Sequence, residues 1–168
     1  MTPHDHRIEI LIPGEPVAQP RAKTQVLTRR DGTVVRSGNG RVATHTYTPG
    51  KKIGPWKQVV ALKVREQLPR QPWDGPVELD VTFWFERTQE LERHKHGAGE
   101  LLHTVRPDLD NLVKAIKDVM TDEGVWIDDG RVCDTVIRKR YVARGHGPGC
   151  RVIARLITDK PGGLYEQA

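Results

Sequence analysis

This chain of 168 residues has few of the features that mark membrane, secreted or disulfide-built proteins. No apolar run approaches the roughly 18 residues of a membrane span. The opening MTPHDHRIEI lacks the apolar centre of a signal peptide. Cysteine occurs only at Cys133 and Cys150, and no CxxC exists. That excludes a disulfide framework and makes a reducing cytoplasm the expectation. There is no nucleophile elbow, no phosphate-binding glycine loop and no internal repeat. His94 and His96 have no cysteine or further ligand at useful spacing, so a zinc site is set aside. What is present is ordinary for a globular protein: 36% hydrophobic and 29% charged residues. The length suits one domain, or one domain with an arm.

The net charge is +5, unevenly spread. Residues 21–65 hold eleven Lys and Arg against one acid, Asp31, or about +10. Residues 106–129 hold seven acids against Arg106, Lys114 and Lys117. A basic stripe beside a separate carboxylate cluster is what a metal-dependent enzyme on nucleic acid needs.

RIEILI at residues 7–12 alternates and stops at Pro13-Gly14, the pattern of a strand with a turn. Asp31-Gly32 and Gly38-Asn39-Gly40 then punctuate short β-prone pieces, which predicts a basic hairpin or arm over about 21–47. Thr48-Pro49 reads as a helix cap, with Gly54-Pro55 leaving Pro55 as an alternative start, and the helix runs to Leu68 with Trp56, Val59, Val60 and Val64 on one face. VELDVTFWF at 77–85 is the clearest strand. Residues 86–104 have no apolar period and read as a long polar loop. A helix follows, then a short apolar strand at 125–127, a turn at Asp128-Asp129-Gly130, and strands at about 133–142 and 151–157. The order predicts an α+β domain over 1–168, a small mixed β-sheet with two main helices packed on it. His45, His103, His146 and Asp134 read as surface residues, and Trp126 as core.

The stretch RPDLDNLVKAIKD (106–118) carries the chemistry. Leu109, Leu112, Val113, Ile116, Val119 and Met120 recur at helical spacing and define a buried face. Asp108 and Asp110 diverge by roughly 200° on a helix of ~3.6 residues per turn. They converge if Asp108 belongs to the extended segment before it. Both then lie near the helix N-terminus, where the macrodipole favours anions. Lys114 and Asp118 continue the Asp110 face in steps of four. A returning strand is expected to bring Asp129 back beside the helix start. Three carboxylates there repel one another, and a divalent cation relieves the repulsion. All-oxygen ligands suit Mg²⁺ or Mn²⁺. Lys114 can meet a phosphate oxygen, and the whole suits metal-assisted phosphodiester hydrolysis. DxDN is not an EF-hand loop, because Val113 stands where a glycine is needed.

RPDLDNLVKAIKDVM followed by GVWIDDGRV resembles the RusA family of Holliday-junction resolvases, over about 106–142. A strand ending in Pro-Gly, then PRAK, then TYTP before a helix, is also similar, more loosely. The resemblance implies a small mixed α/β fold and a Mg²⁺-dependent endonuclease acting as a homodimer on four-way DNA junctions, of phage or prophage type. It implies catalytic and metal-binding roles for Asp108, Asp110 and Asp129, and an essential lysine at Lys114, with Asp128 a neighbouring acid. Arg21, Lys23, Arg29, Arg30, Lys51, Lys52 and Arg106 are then the candidates for DNA contacts. Work in the cytoplasm of a bacterium or a phage-infected host follows. Two alternatives share these residues: a less specific nickase of branched DNA or flaps, and a basic DNA-binding dimer without chemistry.

Overall fold

Alternation over nine residues builds the strand on which the rest is assembled. In a computed structural model of the chain, which describes residues 6–47, 53–93 and 97–158, the elements run as follows. Strands β1 (Arg7–Pro13), β2 (Lys23–Val26) and β3 (Thr44–Tyr47) precede helix α1 (Ile53–Arg65). Strand β4 (Val77–Phe85), the short helix α2 (Gln89–Arg93), strand β5 (Leu101–Leu102) and helix α3 (Leu109–Asp122) follow. A 3-10 turn at Asp129–Arg131 leads into β6 (Val132–Tyr141), and β7 (Gly149–Leu156) comes last. In β4, Val77, Leu79, Val81, Phe83 and Phe85 are all buried, while Glu78, Asp80, Thr82 and Trp84 point to the other face. Burying each large apolar side chain of this kind contributes roughly 1.5–3 kcal/mol.

The main sheet has the order β1-β7-β4-β6-β5. β7 lies antiparallel to both β1 and β4, with Cys150 opposite Ile12 on one side and Phe83 on the other. β4 and β6 are parallel, with Val81 opposite Ile137. A parallel pair requires a long crossover, and the segment containing α3 supplies it. The sheet is thus mixed and the fold α+β. One face is covered by helices: Trp56, Val60 and Val64 from α1, and Leu112, Ile116, Val119 and Met120 from α3, pack on β1, β4 and β7. Lys57 bonds Asp118 at 3.2 Å and ties α1 to α3. The opposite face carries ion pairs, among them Arg138–Asp80 at 2.6 Å and Arg155–Glu78 at 3.0 Å.

Several expectations change in detail. α1 stops at Arg65 rather than Leu68, and Gln67 N–H closes a turn on the Val64 carbonyl at 3.0 Å. The reason is Pro69, whose ring disfavours helical backbone in the residue before it. The Thr48-Pro49 cap lies outside the described residues. Leu109 is exposed rather than buried, because it sits in the first turn of α3 beside Asp108 and Asp110, outside the packed stripe. Residues 125–127 make only a parallel bridge, Trp126 to Trp73. Pro72 and Pro76 flank Trp73, and proline supplies no N–H for a longer ladder. Trp126 is core, with its indole N–H donating to Thr121 Oγ1 at 2.7 Å.

The polar stretch 86–104 is more ordered than its composition suggests. It contains α2 and β5, and its organiser is a buried guanidinium. Arg87 donates to the carbonyls of Val142 at 2.9 Å and Gly97 at 3.2 Å, and also to that of Gly99. An apolar period is missing because a charged group holds the segment. His94 and His96 lie outside the described residues. The basic arm is a ribbon. β2 and β3 pair antiparallel, and the chain between them folds back twice through Thr28–Val34 and Arg36–Val42 bridges. The turns fall at the two predicted glycine signals, and Gly32 and Gly40 adopt φ of 83° and 78°. Its side chains are almost all exposed.

Candidate active site

Helix α3 begins where a proline-containing extended segment meets the first apolar repeat. Asp108 is its N-cap residue, in extended conformation (φ −74°, ψ 143°), and its side chain makes no capping hydrogen bond. The carboxylate is therefore free to turn toward Asp110 in the first helical turn. Both reach one cation: Arg21 Nη2 lies 3.0 Å from Asp110 Oδ2 and 4.0 Å from Asp108 Oδ2. The convergence expected of an extended Asp108 is present, and positive charge already sits at its focus. The segment bearing Arg21 is pinned to the same turn. Gln19 N–H donates to the Asn111 carbonyl at 2.8 Å, and Arg21 Nε approaches Asn111 Oδ1 at 3.5 Å. Arg106, Arg21, Gln19, Asp108 and Asn111 line an open cleft of about 560 Å³.

Beneath this start lies a residue that sequence reasoning missed. Lys139 of β6 donates from its ammonium to the Pro107 carbonyl at 2.6 Å and to the Val105 carbonyl. It fixes the chain on both sides of Arg106, immediately before Asp108. Burial pulls its pKa below the ordinary lysine range, and the nearby Asp108 charge opposes that. A signal existed. Alternation along β6 puts Lys139 on the same face as Ile137 and Tyr141, where an apolar side chain is the norm and a cation needs partners.

Asp129 does not join Asp108 and Asp110. Its carboxylate pairs with Lys117 at 3.5 Å. Lys117 stands seven residues beyond Asp110, about 10 Å further along the helix at ~1.5 Å per residue. The cause is how α3 ends. Gly124, at φ 80°, closes the helix, with its own N–H on the Thr121 carbonyl at 3.0 Å and that of Val125 on Met120 at 2.9 Å. The chain then returns past Trp73 and meets the far half of α3. Asp128 serves the turn itself, accepting from Gly130 N–H at 2.7 Å. Lys114 pairs with Asp118 at 3.5 Å, not with Asp110. Lys57, Lys114, Asp118, Asp122, Asp128 and Asp129 border a second open depression of about 390 Å³. Among the described residues, no three carboxylate, histidine or cysteine side chains are grouped as a metal cage.

The carboxylate oxygens at the α3 start suit a hard divalent cation in kind, and Arg21 shows that this point attracts positive charge. Of the proposed DNA contacts, Arg21 and Arg106 flank the carboxylates. Lys23, Arg29 and Arg30 stand exposed on the arm. Lys51 and Lys52 lie outside the described residues.

Comparison with known proteins identifies the family. Residues 13–152 match the family described as endodeoxyribonuclease RusA. The chain belongs to the RusA family. It is 31% identical to the uncharacterized protein YqaN of Bacillus subtilis over 139 residues, 80% of this chain and 87% of that protein. It is 48% identical to the crossover junction endodeoxyribonuclease RusA of Escherichia coli K12 over 40 residues, 24% of this chain and 33% of that protein. RusA-family membership supports a nuclease acting on DNA, and no helix among the described residues is long and apolar enough to cross a membrane.

His103 corrects the surface reading. It is 8% exposed, with its ring centre 4.4 Å from those of both Phe85 and Tyr141. It follows β5 and closes the core edge next to Lys139, to whose carbonyl its backbone N–H donates at 3.4 Å. Burial first, and the Lys139 charge second, lower its pKa. The unfolded chain therefore binds a proton more readily than the folded one. Stability is complete above the ordinary histidine value of about 6.5 and falls as pH drops through it. Urea denaturation from pH 7.5 down to 5.5 is expected to show this loss, and His103→Gln to flatten it. An unchanged slope in the variant contradicts the assignment.

Proposed function

We propose that this RusA-family chain is a divalent-metal-dependent endodeoxyribonuclease that resolves four-way DNA junctions by paired hydrolytic nicks, acting as a homodimer. The observation that carries the reading is the convergence of Asp108 and Asp110 on one cation at the foot of a basic arm. The partial likeness to a crossover junction endodeoxyribonuclease supports the choice of substrate. Asp108 and Asp110 would hold Mg²⁺ or Mn²⁺ at the start of α3, and Asp129, paired with Lys117 here, would join them only once that pair opens. Such an ion, when bound, acidifies a water and offsets charge on the phosphate. Lys114, more than half exposed, stabilises negative charge developing on the phosphate or leaving oxygen. Arg106 and Arg21 draw the backbone into the cleft above the carboxylates. Lys23, Arg29 and Arg30 extend the contact along the arm, with Lys51 and Lys52 assigned the same role from sequence. Binding through these groups weakens steeply with salt. A two-fold dimer places two sites on opposed strands of a two-fold junction, so that paired nicks resolve it. We place the activity in a single domain spanning 1–168, in the cytoplasm of a bacterium or phage-infected host, in recombination and repair.

The test is cleavage of a labelled synthetic four-way junction and of a matched linear duplex, with Mg²⁺ and with EDTA. Symmetric, Mg²⁺-dependent nicks on the junction alone are expected. Equal nicking of both substrates would leave a less specific nickase. Tight binding without cleavage under Mg²⁺ or Mn²⁺ would leave a binding dimer.

A further inference from the structure

Arg21 occupies the one position where it can serve either the carboxylates or the DNA. Its guanidinium faces Asp110 at 3.0 Å and Asp108 at 4.0 Å, which is where a cation bound by those two side chains belongs. The same side chain lines an open cleft together with Arg106. The contact is open to water: the side chains of Arg21, Asp108 and Asp110 are 70%, 58% and 65% exposed. An ion pair so exposed is weak and easily exchanged. The backbone beneath it is not. Gln19 N–H holds the Asn111 carbonyl at 2.8 Å, two residues before Arg21, so the side chain can swing while the root of the arm stays fixed.

We propose that Arg21 is an exchangeable internal counter-ion. In the free protein it neutralises Asp108 and Asp110 and competes with the divalent cation. When DNA enters, its guanidinium transfers to a backbone phosphate and leaves the carboxylates to the metal. The inference rests on the assignment of Asp108 and Asp110 as metal ligands. Two consequences follow from charge alone. Removing the guanidinium removes a competitor and strengthens metal binding without DNA. Metal and DNA also become linked: each favours the state in which Arg21 has left the carboxylates, so each tightens the other's binding by the same factor. Arg21 is a positioning residue in this scheme, since it acts by occupying or vacating the ligands.

Calcium titration by calorimetry of the full chain, without DNA, compares wild type, Arg21→Gln and Asp110→Asn. The glutamine variant is expected to bind Ca²⁺ roughly three- to tenfold more tightly than wild type, and Asp110→Asn to lose the site. In parallel, anisotropy with a labelled four-way junction is expected to show that Ca²⁺, relative to EDTA, tightens wild-type binding more than binding by Arg21→Gln. Equal or weaker Ca²⁺ binding by Arg21→Gln, with the site lost in Asp110→Asn, overturns the exchange and leaves the metal assignment standing. Absence of Ca²⁺ binding in all three also overturns it. The metal assignment itself falls only if cleavage also persists in EDTA.

Discussion

Asp110→Asn is expected to lower junction cleavage by a factor on the order of 10³ while junction binding persists. The substitution keeps the volume and a hydrogen-bonding oxygen but removes one of the two charges that converge at the start of α3. A neutral amide is a poor ligand for a hard cation, and the remaining Asp108 does not close a site alone. Folding is expected to survive. The pair with Arg21 is exposed and contributes little to stability, and the core face of α3, from Leu112 to Met120, is untouched. Binding is expected to be equal or slightly stronger, because Arg21 is freed and the surface becomes more positive. Single-turnover cleavage rates and gel shifts in EDTA, on protein with an unchanged circular dichroism spectrum, measure the two effects separately. Cleavage within tenfold of wild type would remove Asp110 from the chemistry.

The second large effect is expected at Lys139, well outside the motif. Lys139→Met keeps the length of the stem but withdraws the ammonium that holds the Val105 and Pro107 carbonyls. Those carbonyls flank Arg106 and set the entry of Asp108 into α3. Loss of such a support typically costs 10- to 100-fold in metal affinity or activity, and about that is expected here. Stability falls less, by about 1 kcal/mol, because Val105 is exposed and water can replace the donor at its carbonyl. The positioning role makes a prediction that mere destabilisation does not: the Mg²⁺ concentration for half-maximal cleavage rises. Lys139→Arg, which restores a donor on the same strand, recovers part of the loss. A variant with reduced melting temperature but unaltered Mg²⁺ dependence would assign Lys139 to stability alone.

The parts legible in the sequence were those that depend on near neighbours along the chain. The alternation of β4, the 3.6-residue repeat of α3 and the glycine turns of the arm are local patterns, and each appears close to where its period placed it. Asp108 and Asp110 also follow this rule, since an extended cap before a helical turn brings two nearby side chains together. The less legible parts involve a charge acting at long range. Arg87 organises the 86–104 segment through carbonyls that include one far along the chain. His103 is buried because Phe85 and Tyr141 come from two neighbouring strands of the sheet. Composition marks both residues as surface, and only their packing partners make them interior.

Sequence by itself determined a mixed sheet with helices packed on it, a basic arm, and a pair of carboxylates at a helix start, with motif spacing sufficient to indicate the family. Tertiary structure decided which charges those carboxylates meet. The length of α3 and the left-handed turn at Gly124 return Asp129 to Lys117 rather than to Asp110. The anchoring of Gln19 on Asn111 brings Arg21 over Asp108 and Asp110 from some ninety residues away in sequence. The physical reason is range. Backbone periodicity is dictated by neighbours a few residues apart, whereas electrostatic partners are chosen by distances in space that exist only once the sheet and helices have packed.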